Sequence, residues 1–276
     1  MSLFNKKLKK IKYSFVMGRF SKKIGGQFQY FPIESWQDEI KMGKKYGFDG
    51  VEWIISDYSN PIFNKIFLKE IKKTLKKFKM KVCSIALDLI MKEPLHKIDK
   101  KNLDWLINNI SYLQKQLIIP RITIPIEESS RYRNKVEKRK SLKNLRYVIK
   151  KLSSKSLISI ETDISLKDLK GIFNNKSLSK LGLLVDIGNL RASNRSLKNY
   201  FDLFSDRIYG IHIKYREKNY GKSKNIPLKF EGLRYLGKHI NDANNLKDIT
   251  FQTYRSKHNY LYDMTKNIKG FNENFI

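Results

Sequence analysis

The sequence predicts a single α/β domain, a (β/α)8 TIM barrel in which eight parallel strands are surrounded by helices. Short β-rich apolar runs alternate eight times with longer amphipathic helical patterns. The runs are almost continuously apolar, which is typical of strands that helices cover on the outside. No long linker divides the 276 residues. Because strict strand–helix alternation favours a closed parallel barrel, we expect one domain over residues 1–276.

The eight predicted strands are short segments rich in β-branched and other apolar residues, bounded by polar or turn-forming residues. An open doubly wound sheet is the alternative arrangement. Such a sheet usually carries a glycine-rich first turn, and the Gly25-Gly26 pair lacks the G-x-G-x-x-G spacing. In chain order the predicted strands are Tyr13–Met17, Gly50–Ile55, Lys81–Leu87, Arg121–Ile126, Leu157–Thr162, Gly182–Asp186, Ile208–Ile213 and Asp248–Thr253.

The predicted helices place apolar residues on one face and lysines on the other. The segment Lys65–Lys79 shows this pattern, since its lysines fall on the polar face. In chain order the predicted helices are Trp36–Tyr46, Asn64–Phe78, Asn102–Gln116, Lys135–Lys151, Leu166–Asn174, Leu197–Phe204, Leu228–His239 and Leu261–Phe271.

The chain is strongly basic, with 57 Lys and Arg against 26 Asp and Glu and a formal net charge of +31. The lysines are spread over most helices, and no short nucleic-acid-binding motif is present, so we do not expect a nucleic-acid partner. No apolar run approaches the roughly 18 residues that a membrane span needs, so no membrane is expected either. The single cysteine, Cys83, excludes an internal disulfide and is expected to lie in the core. We expect a cytoplasmic protein.

The ends of the predicted strands carry the candidate functional residues, because active sites of such barrels lie at the carboxyl-terminal mouth. Strand alternation lets these side chains point inward. Burying carboxylates there without partners would be costly, so a cation is the natural companion. A mixed oxygen and nitrogen donor set suits Mn²⁺, Mg²⁺, Co²⁺ or Zn²⁺. The candidate ligands, at the ends of strands five to eight, are Glu161, Asp186, His212 and Gln252.

With these residues, the chain resembles the sugar phosphate isomerases/epimerases of the xylose isomerase-like TIM barrel superfamily over nearly its whole length. The matching positions run from the amino terminus to the eighth strand in the same order. They are Met17 to Ser21, Gln29 to Pro32, Trp36 and Glu39, Gly50 to Ile54, Ser84 to Asp88, Ile124-Pro125, Ile160 to Thr162, Asp186 to Asn189, His212 to Lys214, Gln252 and Arg255.

The resemblance implies a divalent metal bound by Glu161, Asp186, His212 and the residue at position 252. Such a metal acts as a Lewis acid and stabilises the enediolate of an open-chain sugar or sugar phosphate. Glu161 would be the general base. The family has a glutamate where this chain has Gln252, which can coordinate a metal but cannot exchange a proton near neutral pH. One base, Glu161, suits aldose–ketose isomerisation better than two-face epimerisation.

The expected substrate contacts surround this set. Arginine binds phosphate or carboxylate in a bidentate manner, and acidic side chains orient sugar hydroxyls. The loop after strand seven lacks the paired glycines of the relatives, because Ile226-Pro227-Leu228 runs directly into Lys229. The residues expected to contact substrate are Arg19, Glu52, Asp88, Asn189, Lys214, Arg216 and Arg255.

Proteins with other functions also have this barrel fold. A dehydratase acting on a keto-sugar or polyol would use the same metal and the same first proton abstraction. A DNA-repair endonuclease of the superfamily needs a histidine-rich mouth, and this chain has four histidines, of which only His212 ends a strand. A non-catalytic barrel that binds a carbohydrate or a protein is a further alternative, and a homo-oligomer is compatible with all of them.

Overall fold

The chain forms a closed barrel of eight parallel strands in a computed structural model that describes residue 4, residue 8, residues 10–22 and residues 29–275. Each strand pairs with its neighbours in sequence, and β1 closes the barrel against β8. The strands are β1 (Lys12–Val16), β2 (Gly50–Ile54), β3 (Lys81–Ala86), β4 (Arg121–Ile126), β5 (Leu157–Thr162), β6 (Leu181–Asp186), β7 (Ile208–Ile213) and β8 (Asp248–Phe251). The predicted fold class is therefore confirmed.

Helices separate all the strands, as the alternation predicts. The helices are α1 (Trp36–Lys45), α2 (Lys65–Phe78), α3 (Leu89–Lys92), α4 (Lys100–Gln116), α5 (Lys135–Leu152), α6 (Leu166–Phe173), α7 (Ile187–Ala192), α8 (Leu197–Phe204), α9 (Glu231–His239) and α10 (Tyr260–Asn274).

Two short helices and several boundaries differ from the sequence prediction. The helices α3 and α7 follow β3 and β6 directly and were not predicted. The helix predicted from Leu228 begins instead at Glu231, and Leu228 is exposed. The strand predicted to reach Thr253 ends at Phe251, so Gln252 lies just beyond β8. The Gly25-Gly26 pair lies outside the described residues.

Polar residues fix where the long helices begin. The side chains of Asn64, Asp99, Asn134 and Ser165 accept hydrogen bonds from backbone N–H groups in the first turns of α2, α4, α5 and α6. Such caps satisfy donors that have no partner inside the helix. They fix the first residue of each helix, and therefore where the loop between that helix and the preceding strand ends.

The apolar core lies between the barrel and the helices, where large outward-facing side chains such as Phe15, Trp53 and Phe251 are fully buried. The inner face of the barrel is mostly polar, apart from a small cluster of Val16, Ile54 and Ala86. The inner face therefore needs internal hydrogen bonds to be stable.

The loop after β7 folds into a two-stranded antiparallel ribbon, in which Tyr215–Arg216 pairs with Ser223–Lys224. The segment Ile226-Pro227-Leu228, where the relatives carry paired glycines, comes just after this ribbon. Within the described part of the chain, none of the helices has the length and apolar character needed to cross a membrane.

Candidate active site

A cavity of about 510 Å³ opens at the carboxyl-terminal ends of the strands. It is the position that barrel architecture predicts for an active site. Six of the residues singled out from the sequence line it, namely Asp88, Glu161, Asn189, Lys214, Arg216 and Gln252. Asp186 and His212 are buried behind the cavity wall.

Three of the four candidate metal ligands meet beneath this cavity. Glu161, Asp186 and His212, at the ends of β5, β6 and β7, offer ligand atoms that all lie within 4.8 Å of one another. His212 Nδ1 is 3.7 Å from Glu161 Oε2 and 3.9 Å from Asp186 Oδ2. The three side chains are thus close enough to share one cation.

His212 is oriented by a carboxylate behind it. Its Nε2–H donates a hydrogen bond of 2.9 Å to Glu52 Oε1, which leaves Nδ1 facing Glu161 and Asp186. Burial lowers the pKa of the His212 imidazole, but the charges of Glu52 and Glu161 outweigh burial and raise it to about 10. Within the described ranges Nδ1 has no hydrogen-bond partner. A buried ring nitrogen without a partner that points at two carboxylates is suited to hold a metal, with Glu52 as the outer partner that fixes the ring.

Glu52 lies behind His212 and does not line the cavity. It accepts hydrogen bonds from Ser84 Oγ at 2.7 Å and from Arg121 Nη2 at 3.1 Å. Burial raises the pKa of the Glu52 carboxyl, but His212 and Arg121 outweigh that effect and hold it at about 2. The Glu52 oxygens therefore orient His212 and bond within the interior, and the expected contact of Glu52 with a sugar hydroxyl stays a prediction.

The fourth candidate ligand, Gln252, reaches the site but is bonded to a lysine. Lys214 Nζ donates to Gln252 Oε1 at 2.9 Å and lies 2.7 Å from Asp186 Oδ2. The other oxygen of Asp186 accepts a 2.7 Å hydrogen bond from the backbone N–H of Asn189. The lysine ammonium therefore stands between two of the four candidate ligands.

The loop after β4 brings in an acidic residue that the sequence analysis did not single out. Glu127 lines the cavity, and Asn189 Nδ2 lies 3.4 Å from its Oε2. Burial and the nearby charge of Glu161 raise the pKa of Glu127. The signal was available, since Glu127 is the first residue after the predicted strand Arg121–Ile126.

Asp88 and Arg216 lie at the rim of the same cavity. Burial, together with the charges of Glu161 and Glu52, raises the pKa of Asp88 to about 7. Arg216 Nη1 donates to Asn189 Oδ1 at 2.9 Å, and its Nε donates to the backbone oxygen of Gly221 at 3.4 Å. Both residues therefore border the cavity, and their contact with a substrate stays a prediction.

The other two predicted arginines, Arg19 and Arg255, are 1% exposed and do not line the cavity. Arg255 donates to the backbone oxygen of Ser21 at 3.0 Å, and its guanidinium lies 5.3 Å from the ring centre of Tyr30. Burial and the charge of Arg255 lower the pKa of Arg19 to about 9. Arg19 belongs to the segment that follows β1, and Arg255 is bonded to the same segment at Ser21.

The donor set fits a divalent ion in its chemistry. Two carboxylates and one imidazole are ligands that Mg²⁺, Mn²⁺, Co²⁺ and Zn²⁺ all accept, and the histidine has its outer hydrogen bond in place. The ammonium of Lys214 is the exception, since it brings a positive charge to the same oxygens.

No protein-family model matches the chain, and none of the curated proteins matches it. Solved structures do match it. A D-psicose 3-epimerase with D-tagatose from Clostridium cellulolyticum is 13% identical, with a TM-score of 0.67 over 96% of this chain and 91% of the other. A xylose isomerase-like TIM barrel protein from Mycobacterium smegmatis, in complex with magnesium, is 12% identical, with a TM-score of 0.67 over 96% and 98%.

This chain has the xylose isomerase-like TIM barrel fold. The same fold occurs in the probable 3-DHS dehydratase AsbF involved in petrobactin synthesis from Bacillus anthracis, at 14% identity, with a TM-score of 0.67 over 94% of this chain and 98% of the other. Enzymes of different reaction classes therefore share this xylose isomerase-like barrel, and the reaction has to be argued from the site.

Proposed function

We propose that the protein is a divalent-metal-dependent isomerase or epimerase of a sugar or sugar phosphate. The observation that carries this proposal is the convergence of Glu161, Asp186 and His212 at the base of the cavity. The buried Nδ1 of His212 faces both carboxylates and has no hydrogen-bond partner among the described residues, which is how a metal-binding histidine is oriented.

Glu161, Asp186 and His212 would hold the ion, with Gln252 as the fourth ligand. The bound ion would supply Lewis-acid polarisation of the adjacent oxygens of an open-chain sugar. Glu161 is 8% exposed and lines the cavity, so its carboxylate faces both the ligand set and the substrate. We assign it the removal of the proton beside the carbonyl, which gives the enediolate.

The substrate would lie among Asp88, Asn189, Lys214 and Arg216, all of which line the cavity. Arg216 is suited to an anionic end of the substrate because a guanidinium binds phosphate in a bidentate manner. The net charge of +31 would draw such a substrate toward the mouth. Gln252 cannot transfer a proton, which favours isomerisation on one face of the substrate over two-face epimerisation.

A dehydratase is the second candidate, and Glu127 is the observation that favours it. Its carboxyl lines the cavity close to Glu161, and burial keeps its pKa raised. A protonated carboxyl at that position can donate a proton to a departing hydroxyl after Glu161 has taken the first proton.

The test is product analysis by chromatographic separation of the sugar isomers coupled to mass spectrometry, using ketoses, aldoses and their phosphates with Mn²⁺ present. We expect a product of unchanged mass, and a loss of turnover of at least about 100-fold in Glu161→Gln. Glu217→Gln is the matched control, because Glu217 is an exposed acid on the ribbon paired with Lys224.

A product lighter by one water would support the dehydratase. A wild-type protein that binds no Mn²⁺ and turns over none of these compounds would contradict the proposal and leave a barrel that binds a carbohydrate or a protein without catalysis.

A further inference from the structure

Lys214 is the most unusual residue of the site, because it brings a buried ammonium into a set of candidate metal ligands. It lies one residue beyond β7 and shares the inward face of that strand with His212. Its side chain is largely buried. Its Nζ lies 2.7 Å from Asp186 Oδ2 and 2.9 Å from Gln252 Oε1.

The oxygens that Lys214 contacts are the ones a metal would need. Asp186 has its Oδ1 bonded to the backbone N–H of Asn189, so Oδ2 is the oxygen left for an ion. Gln252 has a single side-chain oxygen. A dication on these two oxygens would lie within a few ångströms of the ammonium, where like charges repel strongly in a water-poor site.

The fold also makes room for this lysine. A Cβ added at Gly188, in the first turn of α7, would lie 2.4 Å from Lys214 Cγ and 2.9 Å from its backbone oxygen. The absence of a side chain at Gly188 therefore lets the stem of Lys214 run past α7 to reach Asp186. The position of the ammonium depends on two separate features of the sequence, the lysine and the glycine.

We propose that Lys214 is a resident cation of the site and competes with a divalent ion for Asp186 and Gln252. The inference rests on the proposed function, since it concerns the same site. Glu161 and Asp186 bring two negative charges to the ligand set, the ammonium of Lys214 offsets one of them, and the glutamine at position 252 adds none. A metal binds here only by displacing the ammonium into the cavity, so the natural site binds metal more weakly than the site without the lysine.

Calorimetric titration of the full chain with Mn²⁺ alone tests the competition. We expect Lys214→Met and Lys214→Gln to bind Mn²⁺ at least about tenfold more tightly than the wild type, because the competing charge is gone. We also expect a larger rise in Tm with Mn²⁺ in both variants. Lys222→Met is the matched control, because Lys222 is an exposed lysine at the same mouth, and its affinity should stay within about twofold of the wild type.

A second measurement needs no variant. Reductive methylation followed by peptide mass spectrometry reports whether each lysine amine is accessible. Lys214 should be protected in metal-free protein and become modified at saturating Mn²⁺, since the displaced ammonium enters the cavity. Labelling of Lys222 should stay unchanged.

Failure of the inference and failure of the proposed function give different results. Wild-type binding of Mn²⁺ with equal affinity in the Lys214 variants, and Lys214 labelling that metal does not change, would overturn the competition and leave the metal-dependent function standing. Variants that bind Mn²⁺ where the wild type does not would support the competition and overturn metal dependence of the natural chain. If neither the wild type nor the variants bound Mn²⁺, the competition by Lys214 and the metal-dependent function would both be overturned.

Discussion

Two buried polar clusters share the inside of this barrel, and they differ in how completely their atoms are bonded. The interior network, deep in the barrel, consists of Ser14, Glu52, Ser84, Arg121, Thr123, Ser159, Asp248 and Thr250. The mouth cluster consists of Glu161, Asp186, Lys214, His212 and Gln252.

Arg121 is the centre of the interior network. Its Nε donates to Asp248 Oδ2 at 2.8 Å, and its Nη2 donates to Asp248 Oδ1 at 2.6 Å and to Glu52 at 3.1 Å. Gly210 makes room for it across the barrel, since a Cβ there would lie 2.6 Å from the guanidinium carbon. A charge bonded on several sides in this way is a structural element with no group left for a ligand.

The mouth cluster, in contrast, contains a buried polar atom that is not hydrogen-bonded to any of the described residues. His212 Nδ1 is buried without a hydrogen-bond partner within the described part of the chain, and two carboxylates face it. Buried polar atoms are nearly always satisfied, so an exception that opens toward a cavity indicates a ligand site. The comparison teaches that burial and charge do not by themselves identify a functional residue. What distinguishes the mouth cluster is a ring nitrogen, His212 Nδ1, that faces two carboxylates beneath a cavity.

Removing Arg121 should have the largest effect on stability. Arg121→Met would leave the Asp248 carboxylate buried without its cation and would leave Glu52 with His212 as its charged partner, so we expect a loss of about 3–5 kcal/mol in the free energy of unfolding. Denaturation in urea, followed by circular dichroism, measures this change.

The control for that experiment is Arg131→Met, because Arg131 pairs with Asp163 at the surface, where the arginine side chain is 45% exposed. We expect a change below about 1 kcal/mol. If Arg121→Met and Arg131→Met lowered the free energy of unfolding by the same amount, the interior network around Arg121 would not contribute more to stability than a surface ion pair.

A smaller effect is expected from a single hydroxyl of the interior network. Thr250 Oγ1 donates to Asp248 Oδ1 at 2.8 Å and lies 2.7 Å from Ser14 Oγ. Thr250→Val keeps the shape and removes the hydrogen bonds, so we expect a loss of about 1–2 kcal/mol. The exposed Thr265→Val is the matched control, and a loss no larger than in that variant would contradict the role of Thr250.

The last prediction concerns chemical reactivity and needs no change to the chain. Cys83 lies in β3 beside Ser84 of the interior network, is 3% exposed, and has a thiol pKa that burial raises. At pH 8 we expect the native thiol to react with a disulfide reagent at least about 100-fold more slowly than the unfolded chain, since reaction requires opening of the barrel. Arg121→Met should speed the reaction. A fast reaction of the Cys83 thiol in the native protein would show instead that the barrel opens easily around β3.

The sequence predicts the barrel well because alternation of strands and helices is a local signal repeated eight times. The same logic predicts Glu161, Asp186 and His212, since residues that follow apolar runs meet at one end of a parallel barrel. Boundaries such as the end of β8 at Phe251 are less predictable, because hydrogen bonding with β1 and β7 decides them.

The interior network could not be predicted in the same way. Arg121 and Asp248 are 127 residues apart and meet across the barrel, so no local pattern connects them. The position of Glu52 behind His212 could not be predicted for the same reason, because its partners come from β3, β4 and β7. The contact of Lys214 with Asp186 depends on the exact path of α7 past Gly188.

The most direct test of the difference between the two clusters is anomalous diffraction from crystals of the protein soaked in Mn²⁺. We predict one strong peak bounded by Glu161, Asp186 and His212, with the interior network unchanged around Arg121. A peak elsewhere, or a mouth cluster that holds no manganese at saturating concentration, would contradict the assignment of the mouth cluster as the metal site.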